Sequence, residues 1–252
     1  MELSDFPRLI LAAAPHQECQ IRLSGAVIAH MAYRLEDGPT LYRCAGAEQL
    51  RGGVLMADDL RLNRIDDGGF FTQQAVRECR ARGAMGFVAN WCRPPSREMA
   101  AVTAALDKAL SQAGLTLWVP EAYGHHAPGA QVMISSALSG GTLKVRLEEA
   151  MERFGGSRVT LCVEKMAEDF CLPSPSGRGT PLTAEGLREL MGRVHPSVYY
   201  SSELCAHYFT YGQNGRVHFV LFDDAGSIRR KLILAKRLGI PWALAAWEEF
   251  HC

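Results

Sequence analysis

Gly86-Phe87-Val88-Ala89-Asn90-Trp91-Cys92 is a short apolar run that stops on a polar tip. Helical periodicity precedes it, ending near Gly83, and resumes at about Ser96. A strand between two amphipathic helices is one β/α unit of a barrel, and barrel strands open their last residues onto the active-site mouth. The run therefore predicts that Asn90, Trp91 and Cys92 face whatever the protein binds.

Seven further runs are apolar on both faces, the pattern of parallel strands buried in a barrel: 9–13, 26–33, 53–57, 115–120, 131–135, 159–163 and 241–247. Between them, Phe71 to Arg82, Ser96 to Ala113, Thr142 to Phe154 and Ser227 to Leu238 carry helical period, with Gly83, Gly114, Gly155 and Gly239 where helices should end. The first two connections are weak, and the one from Glu121 to Ala130, with Pro128 and two glycines, is poor for a helix. The pattern predicts an α/β chain forming an irregular (β/α)8 TIM barrel, with an open sheet as the alternative. Between the seventh and eighth strands lies a long insertion. It contains a Pro/Ser/Gly-rich loop, a helix opening at Thr183, and a hairpin pairing 206–211 with 216–222 across Gln213-Asn214-Gly215. Residues 1–170 and 226–252 are expected to build the barrel, and 171–225 a small α+β subdomain beside its mouth.

With 252 residues, 48% of them hydrophobic, one large core is expected. Lys plus Arg and Asp plus Glu both number 27, so no global field favours nucleic acid or an anionic membrane. The eight cysteines show no C-x-x-C pair and no tight Cys/His spacing, which points to reduced thiols and to neither a zinc site nor a disulfide framework. No metal or other cofactor is implied. The start lacks a basic n-region and no apolar run approaches the ~20 residues of a membrane span, so a cytoplasmic address is expected.

The tract from Gly83 to Pro120 resembles the fourth and fifth strands of glycoside hydrolase family 18 barrels, the chitinase-like group. A second stretch looks like that family's late segment: Tyr208-Phe209-Thr210-Tyr211, Val217 to Phe222, Asp223-Asp224, Ser227-Ile228, Lys231-Leu232 and Trp247. The chain also resembles spore-type and peptidoglycan-directed members with a small insertion domain. The resemblance implies a TIM barrel acting on N-acetylglucosamine-containing glycans, with a tie to sporulation. In that family the fourth strand ends in D-x-x-D-x-D-x-E. Here Met85, Val88, Asn90 and Cys92 stand at those positions, so all four acids are absent.

Such enzymes cleave by substrate assistance, with the glutamate protonating the leaving oxygen. A thiol is a weak donor and Asn90 offers only an amide, so neither supplies that proton. Losing general-acid help costs ~10²- to 10⁴-fold. The resemblance, with those acids missing, thus implies a catalytically inactive or impaired barrel that binds glycan through Trp91, Trp247 and Tyr123, with Asn90, Cys92, Asp58, Glu121 and Glu164 as polar contacts. The alternative is an active glycosidase using relocated carboxylates, Glu121 with Glu164 or with Asp58. Asp59, Glu168, Asp169, Glu248 and Glu249 are further acids expected near the mouth. A third option is an assembly protein that presents the hairpin aromatics Tyr208, Phe209, Tyr211 and Phe219. Asp224 is expected to cap the helix through Ile228, and His125-His126 to be exposed polar residues rather than metal ligands.

Overall fold

The computed structural model describes residues 5–21, 25–38, 40–64, 69–174 and 177–250. Eight parallel strands form the barrel: β1 (Arg8–Ala13), β2 (Val27–Glu36), β4 (Val54–Asp58), β5 (Gly86–Asn90), β6 (Thr116–Pro120), β7 (Gln131–Ser135), β8 (Val159–Val163) and β14 (Trp242–Ala246). Their order is β1-β14-β8-β7-β6-β5-β4-β2, and pairing of β1 with β2 closes the ring, so the sheet is not open. A short strand, β3 (Thr40–Arg43), adds antiparallel to β2 on the outside.

Alternation along each strand sorts side chains into two apolar layers. Ile10, Ala12, Ala29, Val54, Met56, Val88, Trp118, Met133, Trp242 and Leu244 fill the barrel interior. Trp118 and Trp242 meet edge-to-face with centroids 5.5 Å apart, and the Arg8 guanidinium lies over the Trp242 ring. Rings this large leave no room beside them. A Cβ on Gly86 would lie 2.1 Å from the Thr116 carbonyl oxygen and 2.7 Å from the Trp118 ring, which is why the decisive run begins with glycine.

The outward row packs under helices. Leu55, Phe87 and Leu117 meet Phe71 and Cys79 of α1 (Gly69–Arg82) and Val102 and Leu106 of α2 (Arg97–Gln112). On the other side Leu11, Ile134 and Leu161 meet Leu147 of α3 (Leu143–Phe154) and Leu232 of α5 (Ala225–Arg237). Ser96 caps α2, and Asp224 with Ser227 forms a capping box on α5. Among the described residues three connections carry no α-helix, only single 3-10 turns at Glu18–Gln20, Ala47–Gln49 and Glu121–Tyr123, the second of them after β3. In the last, a Cβ on Gly124 would strike the Phe154 ring at 2.5 Å, so the segment runs tight against α3. The chain ends its described part in the one-turn helix α6 (Trp247–Phe250). No helix among the described residues is long and apolar enough to cross a membrane.

The insertion between the seventh and eighth barrel strands is a five-stranded antiparallel sheet. Its order is β10 (Thr180–Pro181), β9 (Ala167–Leu172), β13 (Arg216–Phe222), β12 (Ala206–Gln213), β11 (Tyr199–Ser201). Helix α4 (Ala184–Val194) packs Leu190 onto Phe209, Val220 and Phe222 on one face. Asn214 and Gly215 form the β12–β13 turn, both at positive φ (50° and 71°), a conformation that glycine and asparagine adopt most readily. The flanking strands β9, β10 and β11 have no clear sequence signature, since short or charged strands gain their stability from partners.

One buried ion pair fastens the insertion to the barrel. Lys231 Nζ lies 2.6 Å from Asp223 Oδ2, and both side chains are almost fully buried. The Ser227 hydroxyl donates to Asp223 Oδ1 (2.6 Å), the Met166 amide donates to Oδ2 (2.9 Å), and the Asp223 amide donates to the Met166 carbonyl (2.7 Å). The residue leaving the insertion is thus bonded to the residue entering it. Replacing Lys231 by Met strands a buried carboxylate and should cost about 3–5 kcal/mol in urea unfolding. Gly86→Ala should cost about 1–3 kcal/mol by overpacking.

Candidate functional site

The interior row of each strand ends at the C-terminal mouth. There Met56 is followed by Asp58, Val88 by Asn90, Met133 by Ser135, and Cys162 by Glu164. Asp58 and Asn90 are neighbours in register on β4 and β5. Met31, next in the β2 row after Ala29 and opposite Met56, is 44% exposed and adds an apolar contact that sequence reading had missed. The bulge that follows it re-aims the strand, a feature no periodicity reveals.

The same alternation sends Trp91 the other way. Its ring is buried beside Phe71 of α1, and its Nε1 donates to Thr103 of α2 at 3.1 Å. Tyr123 is fully buried, its hydroxyl donating to the Arg93 carbonyl (3.0 Å), and burial pushes its pKa up to about 12. Trp247 is 7% exposed and belongs to the outer layer between the barrel and α5. These three rings, expected to stack on a ligand, therefore lie in or behind the barrel wall. Asn90, Cys92 and Asp58 do reach the rim.

Cys92 is exposed, with its Sγ 3.7 Å from the Asn90 carbonyl oxygen. Partial burial and the nearby charges of Asp59 and Asp58 push its thiol pKa up, so the thiol stays protonated. Asp59 is not a mouth acid. It is fully buried and accepts from the amides of Cys92 (2.7 Å) and Arg93 (3.4 Å), pinning the segment that follows β5. All seven described cysteines are free thiols.

The carboxylates expected to act as a pair have separate partners. Glu121 is gripped by Arg146 and Arg153 of α3. Glu164 accepts from the Ser135 hydroxyl at 2.7 Å, and its amide donates to Ser136 Oγ at 3.1 Å. The residue drawn towards Glu164 is Glu249. Burial raises its pKa, the Lys165 amide hydrogen bond opposes this, and the negative charge of Glu164 adds to the rise. Its Oε2 is buried without a hydrogen-bond partner. Glu248 instead accepts from Gln17 Nε2 at 2.6 Å. Glu168 and Asp169 lie on β9 of the insertion, where each has its own partners. Glu168 accepts from the Gly179 amide, and Asp169 bonds Tyr211 and His218. His125 packs on Phe154, centroids 4.9 Å apart, and no group of three or more His, Cys, Asp or Glu among the described residues is placed to hold a metal ion.

The mouth thus offers an amide, a hydroxyl and carboxylates around a methionine, groups that suit a polyol. No family model matches the chain, and no curated protein matches it in sequence. Solved structures do. The class V chitinase from Nicotiana tobaccum aligns with a TM-score of 0.65 at 12% identity, over 96% of this chain and 93% of that one. A chitinase from Chromobacterium violaceum aligns at 0.63 and 15% identity, over 95% and 93%. The spore cortex-lytic enzyme SleL from Bacillus megaterium QM B1551 aligns at 0.64 and 16% identity, over 97% of this chain and 71% of that one.

The fold is that of the chitinases. At these identities the likeness concerns architecture alone, and the side chains at the mouth must be judged by their own chemistry. Within this chitinase fold the raised pKa of Glu249 has a definite sign. The unfolded chain ionises Glu249 in the ordinary carboxylate range, the folded chain only at higher pH, so folding stability falls as pH rises between the two. Below that window both states hold the proton and nothing is lost. Glu249→Gln should therefore match wild type in thermal melts at low pH and exceed it above the window.

Proposed function

We propose that this chain is a glycan-binding barrel of the chitinase fold, catalytically inactive or impaired, whose ligand contains N-acetylglucosamine. The supporting observation is the interior row of β5. Met85 and Val88 lie in the apolar filling of the barrel with Met56 and Trp118, and Asn90 and the protonated Cys92 follow at the mouth. No carboxylic acid stands along that row to protonate a leaving oxygen or to orient an acetamido group. Hydrogen-bonding groups remain at the rim in Asn90, Asp58, Ser135 and Glu164, with Met31 as an apolar surface. A mutant of the N. tobaccum class V chitinase has also been crystallised in complex with NAG4, which makes a chito-oligosaccharide the first ligand to try.

The experiment is titration calorimetry with N-acetylglucosamine tetramer, alongside a turnover assay on a fluorogenic chito-oligosaccharide. Binding without turnover is expected. Asn90→Ala should weaken binding about tenfold, the loss of about 1.4 kcal/mol expected when a sugar hydrogen bond is removed. Absence of binding to any glycan on an array would sink the proposal.

A second reading, an active glycosidase on relocated carboxylates, is favoured by the raised pKa of Glu249, which burial and the charge of Glu164 shift in the direction a general acid requires. Glu121, held by two arginines, is a weaker partner for Glu164. Turnover lost in both Glu164→Gln and Glu249→Gln would establish this reading over the inactive one.

A further inference from the structure

A cleft of about 400 Å³ opens on the outside of the barrel, where the turn between β11 and β12 meets α3 and α5. It is separate from the acidic mouth and has the opposite charge. Lys144 from α3 and Arg230 and Arg237 from α5 line it, against one carboxylate, Glu203, so its lining carries three positive charges and one negative, a net +2 on a chain whose formal charge is zero.

The cations are available. Arg230 is held 4.1 Å over the Tyr200 ring, a contact that fixes the guanidinium without neutralising it. Arg237 lies seven positions on, two turns along the same face of α5. Neither arginine is in an ion pair with a carboxylate among the described residues. Lys144 meets only the exposed Glu148 at 3.6 Å, a contact worth little in water. Thr142 lines the cleft with a hydroxyl that does not cap α3, and Ser202 brings a second from the insertion. Ile233 and Leu234 form an apolar floor beneath them. The turn is fixed, because the Leu143 amide donates to the Glu203 carbonyl at 2.8 Å.

We propose that this cleft binds a phosphate monoester with a small carbon body. Two arginine forks match the geometry of phosphate oxygens, the lysine adds a point charge, the hydroxyls donate, and the floor takes the carbon portion. Such a ligand would bridge the insertion, through Ser202, to the barrel helices, through Arg230 and Arg237.

Titration calorimetry with glycerol 3-phosphate, inorganic phosphate and uncharged glycerol tests this on the full chain. Glycerol 3-phosphate should bind wild type, glycerol should not, and inorganic phosphate should bind more weakly for want of a carbon body. The double variant Arg230→Gln/Arg237→Gln should lose at least about tenfold in affinity. Arg77→Gln/Arg80→Gln, in a cleft of about 420 Å³ between α1 and α2, should lose none. Glu203→Gln should bind more tightly, a gain that misfolding cannot produce. No binding to wild type, equal loss in both arginine doubles, or an unchanged Glu203→Gln would overturn the proposal.

Discussion

A side chain on a barrel strand has two destinations, the interior or the helix layer, and neighbours along the strand cannot share one. In this protein that constraint decides both stability and site. It places Val88 and Asn90 in the interior row and Phe87, Ala89 and Trp91 under α1 and α2. Filling the small interior with Trp118 and Trp242 then demands glycine at position 86. Because Asn90 points in, Trp91 must point out, and the strand tip offers an amide to the mouth where an aromatic face was also expected.

The insertion obeys a different constraint. Its chain leaves β8 and returns to α5 through one point, where Asp223, Lys231, Ser227 and Met166 share a desolvated network. Every polar atom there has a partner of complementary charge or dipole, which is the condition for burying an ion pair without large cost. The same short segment carries Glu164 towards the mouth and its Lys165 amide to Glu249. The lock on the insertion and the acidic side of the mouth are therefore one continuous structure, and disturbance of the first is expected to reach the second.

Opposite charges mark the mouth and the cleft. The mouth gathers carboxylates, with the proton affinity of Glu249 raised, while the cleft between α3 and α5 gathers two guanidinium groups and a lysine against the single carboxylate Glu203. A chain of zero formal net charge thus places local charge of opposite sign at two separate sites.

The barrel strands, the helices with their glycine ends, the Asp224 cap and the Asn-Gly hairpin are all visible in the sequence, because each depends on residues close together in the chain. Absence of the acids at Met85, Val88, Asn90 and Cys92 is equally visible, since identity needs no coordinates. Tertiary structure alone decided which candidates share a space. Tyr123 and Trp247 entered the wall because packing needed their volume, and Asp59 turned inward because two amides after β5 needed an acceptor. Glu121 went to Arg146 and Arg153, and Glu249 rather than Glu121 came to Glu164. Sequence determines what a residue can do, but proximity between residues far apart in the chain exists only once the barrel has closed.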